Sequence, residues 1–159
     1  MLMAEFKVFK GKLDGLGQSE LSKFGQKYSY IKLLDGDDNF HMVKNIATFN
    51  TTNSFLKLGS DVELYTYCDA GEKVILGLVA DGKRVVDMED INQALSGMEK
   101  SFRKMLIWGV IPSLFLSFIF IGIPLLAVMS YMCWKIHKIM KVLNKDTVKA
   151  FLTENGFNV

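Results

Sequence analysis

The first eighty-eight positions alternate. EFKVFKGKL (residues 5–13) and YSYIKLL (28–34) set apolar side chains at about every second position, and NFHMVKNIATF (39–49) does so after Asp35-Gly36-Asp37-Asp38. A period of two marks a strand with one buried face, and an Asp/Gly cluster between two such runs marks a hairpin. DVELYTY (61–67) alternates strictly, with Val62, Leu64 and Tyr67 as core candidates if a bulge intervenes. The turns AGEK and ADGK then bracket VILGLVA (74–80), which is apolar enough for burial on both faces, and lead into RVVDM (84–88). The pattern predicts about six short strands, five of them in a meander. SELSKF (19–24) reads as one helical turn, and GKLDGLG (11–17) as a flexible loop. A small all-β domain over residues 1–88 follows, either an SH3-like or OB-like barrel or a curled sheet, because closing or curling the sheet hides its edges.

Near residue 88 the period changes. In DMEDINQALSGMEKSFRKM, Ile91, Leu95, Met98, Phe102 and Met105 recur at intervals of three and four, with Asp87 as candidate cap and Glu89 and Asp90 in the first turn. Thirty residues without a charge then run from Met105 to Trp134. Eighteen consecutive apolar residues is the usual mark of a membrane segment, and a soluble core helix would be shorter and one-sided. Trp108, Tyr131 and Trp134 stand where an aromatic belt would sit at headgroup level, with Lys104, Lys135, Lys138 and Lys141 beyond them. KIHKIMKVLNK continues as a basic amphipathic helix, with Ile136, Ile139, Met140 and Leu143 on one stripe. Asp146 caps a short last helix that ends at Gly156. The fold class is therefore α+β: the β-domain at 1–88, a membrane-anchoring helical segment at 89–145, and a C-terminal helix and tail at 146–159.

Two geometries fit the apolar stretch. One helix of this length would measure about 45 Å against roughly 30 Å of hydrocarbon, while two full crossings would need about forty residues. Pro112, Gly122 and Pro124 supply places to bend or turn. Either one bent transmembrane helix or a re-entrant hairpin results. Basic clusters on both flanks favour the hairpin, since the positive-inside rule sends both to the cytoplasm. Gly109, Ser113 and Ser117, at i, i+4 and i+8, form a small-residue row of the kind that lets helices approach closely.

Charge divides the chain in the same place. Residues 1–97 hold eleven Lys/Arg and fourteen Asp/Glu, a net of −3, whereas 98–159 hold eight and three, a net of +5. An acidic β-domain argues against nucleic acid as a partner, because phosphate neutralisation needs a basic face. Cys68 and Cys133 fall in unlike environments and predict no disulfide, in keeping with a reducing compartment. The start MLMAEFKVFKGK lacks the apolar core of a signal peptide.

Candidate chemistry is sparse. His41 and His137 are the only histidines, too few for a histidine-rich metal site. Asp35, Asp37 and Asn39 imitate the start of a calcium loop, but Phe40 stands where glycine must turn the chain and Ile46 where a glutamate should close the site. The reading is a non-enzymatic module without catalytic, metal or cofactor residues. Its partners are the lipid bilayer and a membrane protein or a second copy. Two roles are open: accessory or assembly subunit of a membrane complex with the β-domain on the cytoplasmic side, or an immunity protein that neutralises a membrane-acting toxin.

Overall fold

The computed structural model describes residues 5–22, 25–36, 39–111 and 122–159. In chain order the elements are β1 (Glu5–Leu16), β2 (Ser19–Ser22), β3 (Gly25–Leu34), β4 (Phe40–Phe49), α1 (Asn50–Asn53), β5 (Asp61–Asp69), β6 (Glu72–Ala80), β7 (Lys83–Val86) and α2 (Met88–Met105). A π-helical turn (Leu106–Val110), α3 (Gly122–Val142) and α4 (Lys145–Glu154) complete them. Contacts divide the chain into one unit of residues 1–92 with 145–159 and a second of 93–144.

Five strands close a ring. β1 pairs with β5, β5 with β6, β6 with β4, β4 with β3, and β3 returns to β1. The curled-sheet alternative is thereby excluded, and so is the meander. β4 meets β6 in a parallel pair (Ile46 opposite Lys73, Ala47 opposite Val74), with α1 and the following residues forming part of the crossover that a parallel pair requires. β1 can serve two neighbours because its first part, Glu5 to Lys12, pairs with β5 while Lys12 to Leu16 pair with β3 across a bulge.

Two local expectations are corrected. Ser19–Ser22 form β2, paired in full register with β3 from Ser19–Tyr28 to Ser22–Gly25, where a helical turn was expected. Pairing to a neighbouring edge satisfies backbone groups that one isolated turn of helix would leave open. Residues 11–16 likewise continue β1 and do not form a loop. The two-residue turns at Ala70-Gly71 and Asp81-Gly82, all at positive φ, match the predicted hairpins.

The barrel interior is filled by Leu13, Ile31, Leu33, Val43, Ile46, Val62, Leu64, Ile75 and Leu78, all 2% exposed or less. Burying each contributes on the order of 1.5–3 kcal/mol. Ile75 and Leu78 both reach this interior because β6 carries one extra residue where Tyr65 faces Gly77 and Thr66 faces Ile75. The bulge expected in β5 lies in its partner β6 instead, and Tyr67 packs on the other face of the sheet, 5.8 Å from the Phe6 ring.

That outer face is covered by α4. Phe151 stacks on Phe6 at 4.6 Å and Phe157 meets Tyr65 edge-on at 5.0 Å, while Val148 and Leu152 are fully buried. Gly77 makes the seat: a Cβ there would stand 2.9 Å from Leu152 Cδ2 and 3.0 Å from Phe157 Cζ. The helix stops in a Schellman motif. Gly156, at φ 82°, donates its N–H to Thr153, and Phe157 donates to the Leu152 carbonyl at 3.0 Å. The apolar face predicted from Val148, Phe151 and Leu152 is thus buried against the barrel's own wall.

α2 starts where predicted. Asp87 accepts the Asp90 N–H at 2.9 Å and the Thr51 hydroxyl, and Ile91 is buried. Both bonds hold the Asp87 carboxyl below the ordinary aspartate range. Asp90 moves the other way, pushed up by desolvation and by the Asp87 and Glu89 charges.

The described parts of the long apolar stretch are helical on both sides of residues 112–121. α2 ends at Met105, the π-helical turn follows, and α3 begins at Gly122, with residues 112–121 outside the described residues. No helix among the described residues is long and apolar enough to cross a membrane.

Candidate functional site

The 93–144 unit is built from the later part of α2, the π-helical turn and α3. Two contacts fix its internal register. The Phe102 ring lies 6.4 Å from His137, and a Cβ on Gly109 would stand 3.1 Å from Met129 Cε. Moving seven residues forward on the first arm moves eight backward on the second, so the arms run antiparallel. Gly109 is buried at this approach, where an added Cβ would press on the Met129 thioether. The small-residue position therefore meets a helix of its own chain. Ser113, Ser117 and Pro112 lie outside the described residues. Gly122 and Pro124 both lie in α3.

Apolar side chains of this unit face outward. Trp108 is 79% exposed, Tyr131 64% and Trp134 54%, with Leu106, Ile107, Ile111, Val128 and Met132 exposed beside them in the chain. Tyr131 and Trp134 are 6.2 Å apart, and Lys138 Nζ stands 5.5 Å over the Trp134 ring. Lys104, Lys135, Lys138 and Lys141 are all exposed, while the predicted stripe Ile136, Ile139, Met140 and Leu143 is half-buried. The unit holds a single carboxylate, Glu99, and Arg103 engages it at 2.7 Å.

On the barrel, a cavity of about 320 Å³ opens at the mouth between the start of β1, the start of β4 and the β5–β6 turn. His41 stacks on Phe9 at its edge, ring centroids 5.6 Å apart, and Val43 and Cys68 line it with Lys7 and Lys73. The mouth charges are mixed: Lys7 pairs with Glu5 at 2.6 Å, and Lys73 donates to the Lys44 carbonyl. Residue spacing gave no sign of this juxtaposition, because Phe9 and His41 belong to strands that do not pair with each other. Asp35 takes its place in the predicted turn, accepting the Gly36 N–H at 2.8 Å. Cys68 and Cys133 are free thiols. No group of three or more His, Cys, Asp or Glu side chains converges among the described residues.

Under the α4 seat, Tyr65 donates to Glu63 at 2.6 Å and burial pushes its phenol up to about 12, with the Glu63 bond adding to the shift. Tyr67 is likewise pushed up to about 12, first by burial and then by the Asp69 charge; its hydroxyl has no partner among the described residues. Glu63 is held below its usual range by Lys10 and Tyr65.

Comparison with protein-family models, with curated proteins and with solved structures finds no match to this chain.

Proposed function

We propose that the protein is a non-enzymatic interaction module held on a lipid bilayer by a re-entrant hairpin, with its barrel offered to a membrane-protein partner as an accessory or assembly subunit. One observation carries the reading: the chain leaves the barrel unit after Asn92 and rejoins it at Lys145, where α4 packs on β5 and β6. Both ends of the 93–144 unit are thus tied to one folded body. A single crossing would have to separate those ends by the thickness of a bilayer, and a segment that enters and returns on one face does not.

The antiparallel arms meet the cost of bringing helices into lipid by hydrogen-bonding their own backbones, and the exposed Trp108, Tyr131 and Trp134 suit the headgroup boundary. An outward apolar surface of this kind needs a covering, and lipid is the solvent that covers it without a dedicated partner. Basic residues on both flanks favour the cytoplasmic face.

The ring order β1–β3–β4–β6–β5, with its parallel β4–β6 pair, supports an OB-like barrel over an SH3-like one. Exposed Phe40 and Met42 on β4, next to the mouth, are among the apolar positions available to a partner. The test is flotation of the full chain with phosphatidylcholine vesicles. Stable flotation, resistant to high salt, is expected; a chain that stays at the bottom of the gradient contradicts the anchor.

A further inference from the structure

We infer that the hairpin recognises the charge of the lipid headgroup and selects anionic phospholipid, through a collar formed by both arms: Lys100, Arg103 and Lys104 from α2, and Lys135, Lys138 and Lys141 from α3. The inference rests on the lipid-anchored reading above. In sequence these clusters stand more than thirty residues apart. The antiparallel register set by Phe102–His137 and Gly109–Met129 brings them to the same end of the 93–144 unit.

The collar is nearly free of compensation. Six basic groups face one carboxylate, a net of +5, and that carboxylate is engaged with Arg103. All six are exposed. No ion pair to the five lysines is formed among the described residues. Like charges gathered on paired helices repel one another, and a surface of fixed opposite charge relieves that repulsion. The collar also adjoins the aromatic positions, with Lys138 Nζ over Trp134, so an indole at the hydrocarbon boundary holds an ammonium at phosphate height. Nucleic acid or an acidic protein would satisfy the lysines but leave the exposed tryptophans and aliphatic side chains in water. A lipid surface satisfies both.

Each lysine near an anionic surface contributes about 1 kcal/mol, which is roughly a fivefold change in partitioning. Removing three charges should therefore lower the anionic preference by about a hundredfold. The experiment compares flotation of the full chain with vesicles of phosphatidylcholine alone and of phosphatidylcholine mixed with phosphatidylglycerol. It uses the wild type and the triple variant Lys135→Gln, Lys138→Gln, Lys141→Gln, with circular dichroism as the folding control.

The expected result is much tighter wild-type binding to the mixed vesicles, weakened by salt, and a variant that has lost about a hundredfold of that preference while binding phosphatidylcholine as the wild type does. Equal wild-type binding to both vesicles, or a preference undiminished in the variant, overturns the headgroup inference and leaves the anchor standing. Absence of wild-type binding to either vesicle overturns both.

Discussion

Gly77 of β6 and Phe157 beyond α4 are in such close approach that no larger residue fits at position 77 unless the C-terminal segment moves. Glycine in a strand interior ordinarily weakens the strand, and here it lets α4 lie on the barrel wall. Gly77→Val is expected to destabilise the barrel unit by roughly 1–3 kcal/mol through overpacking. Hydrogen exchange is expected to show α4 amides losing protection ahead of the strands. Uniform loss across the unit, or unchanged protection of α4, would show that Gly77 is not the seat.

Asp87 ties the first turn of α2 to α1 through its bonds to the Asp90 N–H and the Thr51 hydroxyl. Asp87→Ala should cost about 1 kcal/mol at neutral pH, the usual value of a helix cap. Since the folded-state pKa is depressed, this contribution is present above the unfolded aspartate value near 4 and fades as pH falls through the folded one. Denaturant titrations of both proteins between pH 7 and pH 2 should show the gap closing on the acid side. A gap that widens in acid contradicts the assignment. Asp90, shifted upward, acts with the opposite sign, so the comparison is made between Asp87 variants and not on the wild-type curve alone.

Tyr65 and Tyr67 stand two residues apart on the same buried face with opposite hydrogen-bond states. Removing the Tyr65 hydroxyl leaves Glu63 without one of its donors and should cost about 1 kcal/mol, whereas Tyr67→Phe deletes an unpartnered buried hydroxyl and should leave stability unchanged or raise it by up to about 1 kcal/mol. Both phenols are raised to about 12, so the stability they contribute is complete below pH 10 and is lost as pH rises toward 12. Ultraviolet titration should therefore find them ionising after the exposed tyrosines or together with unfolding. Equal losses for the two phenylalanine variants would contradict the assignment.

Where the sequence was legible, local physics and tertiary structure agreed. The hairpin turns at Ala70-Gly71 and Asp81-Gly82, the Asp87 cap and the α2 stripe all depend on residues within a few positions of one another. The errors came where a distant partner decided. Ser19–Ser22 carry no strong strand signal and become β2 because the β3 edge is there to pair with. The parallel β4–β6 pair joins segments more than twenty-five residues apart, and nothing in either strand announces its direction. Gly77 carries no local sign of its role, since its reason lies eighty residues away in Phe157. For the candidate site, the aromatic and basic positions were readable from composition, but the pairing of Gly109 with Met129 was not.

Gly109→Ala should be absorbed by movement of the flexible Met129 methyl, whereas Gly109→Leu should force the two arms apart. Cysteines placed at Phe102 and His137, in a chain carrying Cys68→Ser and Cys133→Ser, report the pairing through a short bifunctional cross-linker. Efficient cross-linking is expected with Gly109 or Ala and a several-fold drop with Leu. Undiminished cross-linking in the Leu variant would mean that Gly109 does not set the approach.

The same-sided return of the chain is tested most directly by labelling single cysteines with a membrane-impermeant maleimide, in sealed vesicles carrying the full chain without Cys68 and Cys133. One cysteine replaces Asn39 in the β3–β4 turn and the other replaces Asn158 beyond α4. Both sites are expected to react together from one side and to be protected together from the other. Labelling of the two from opposite faces would contradict the re-entrant hairpin.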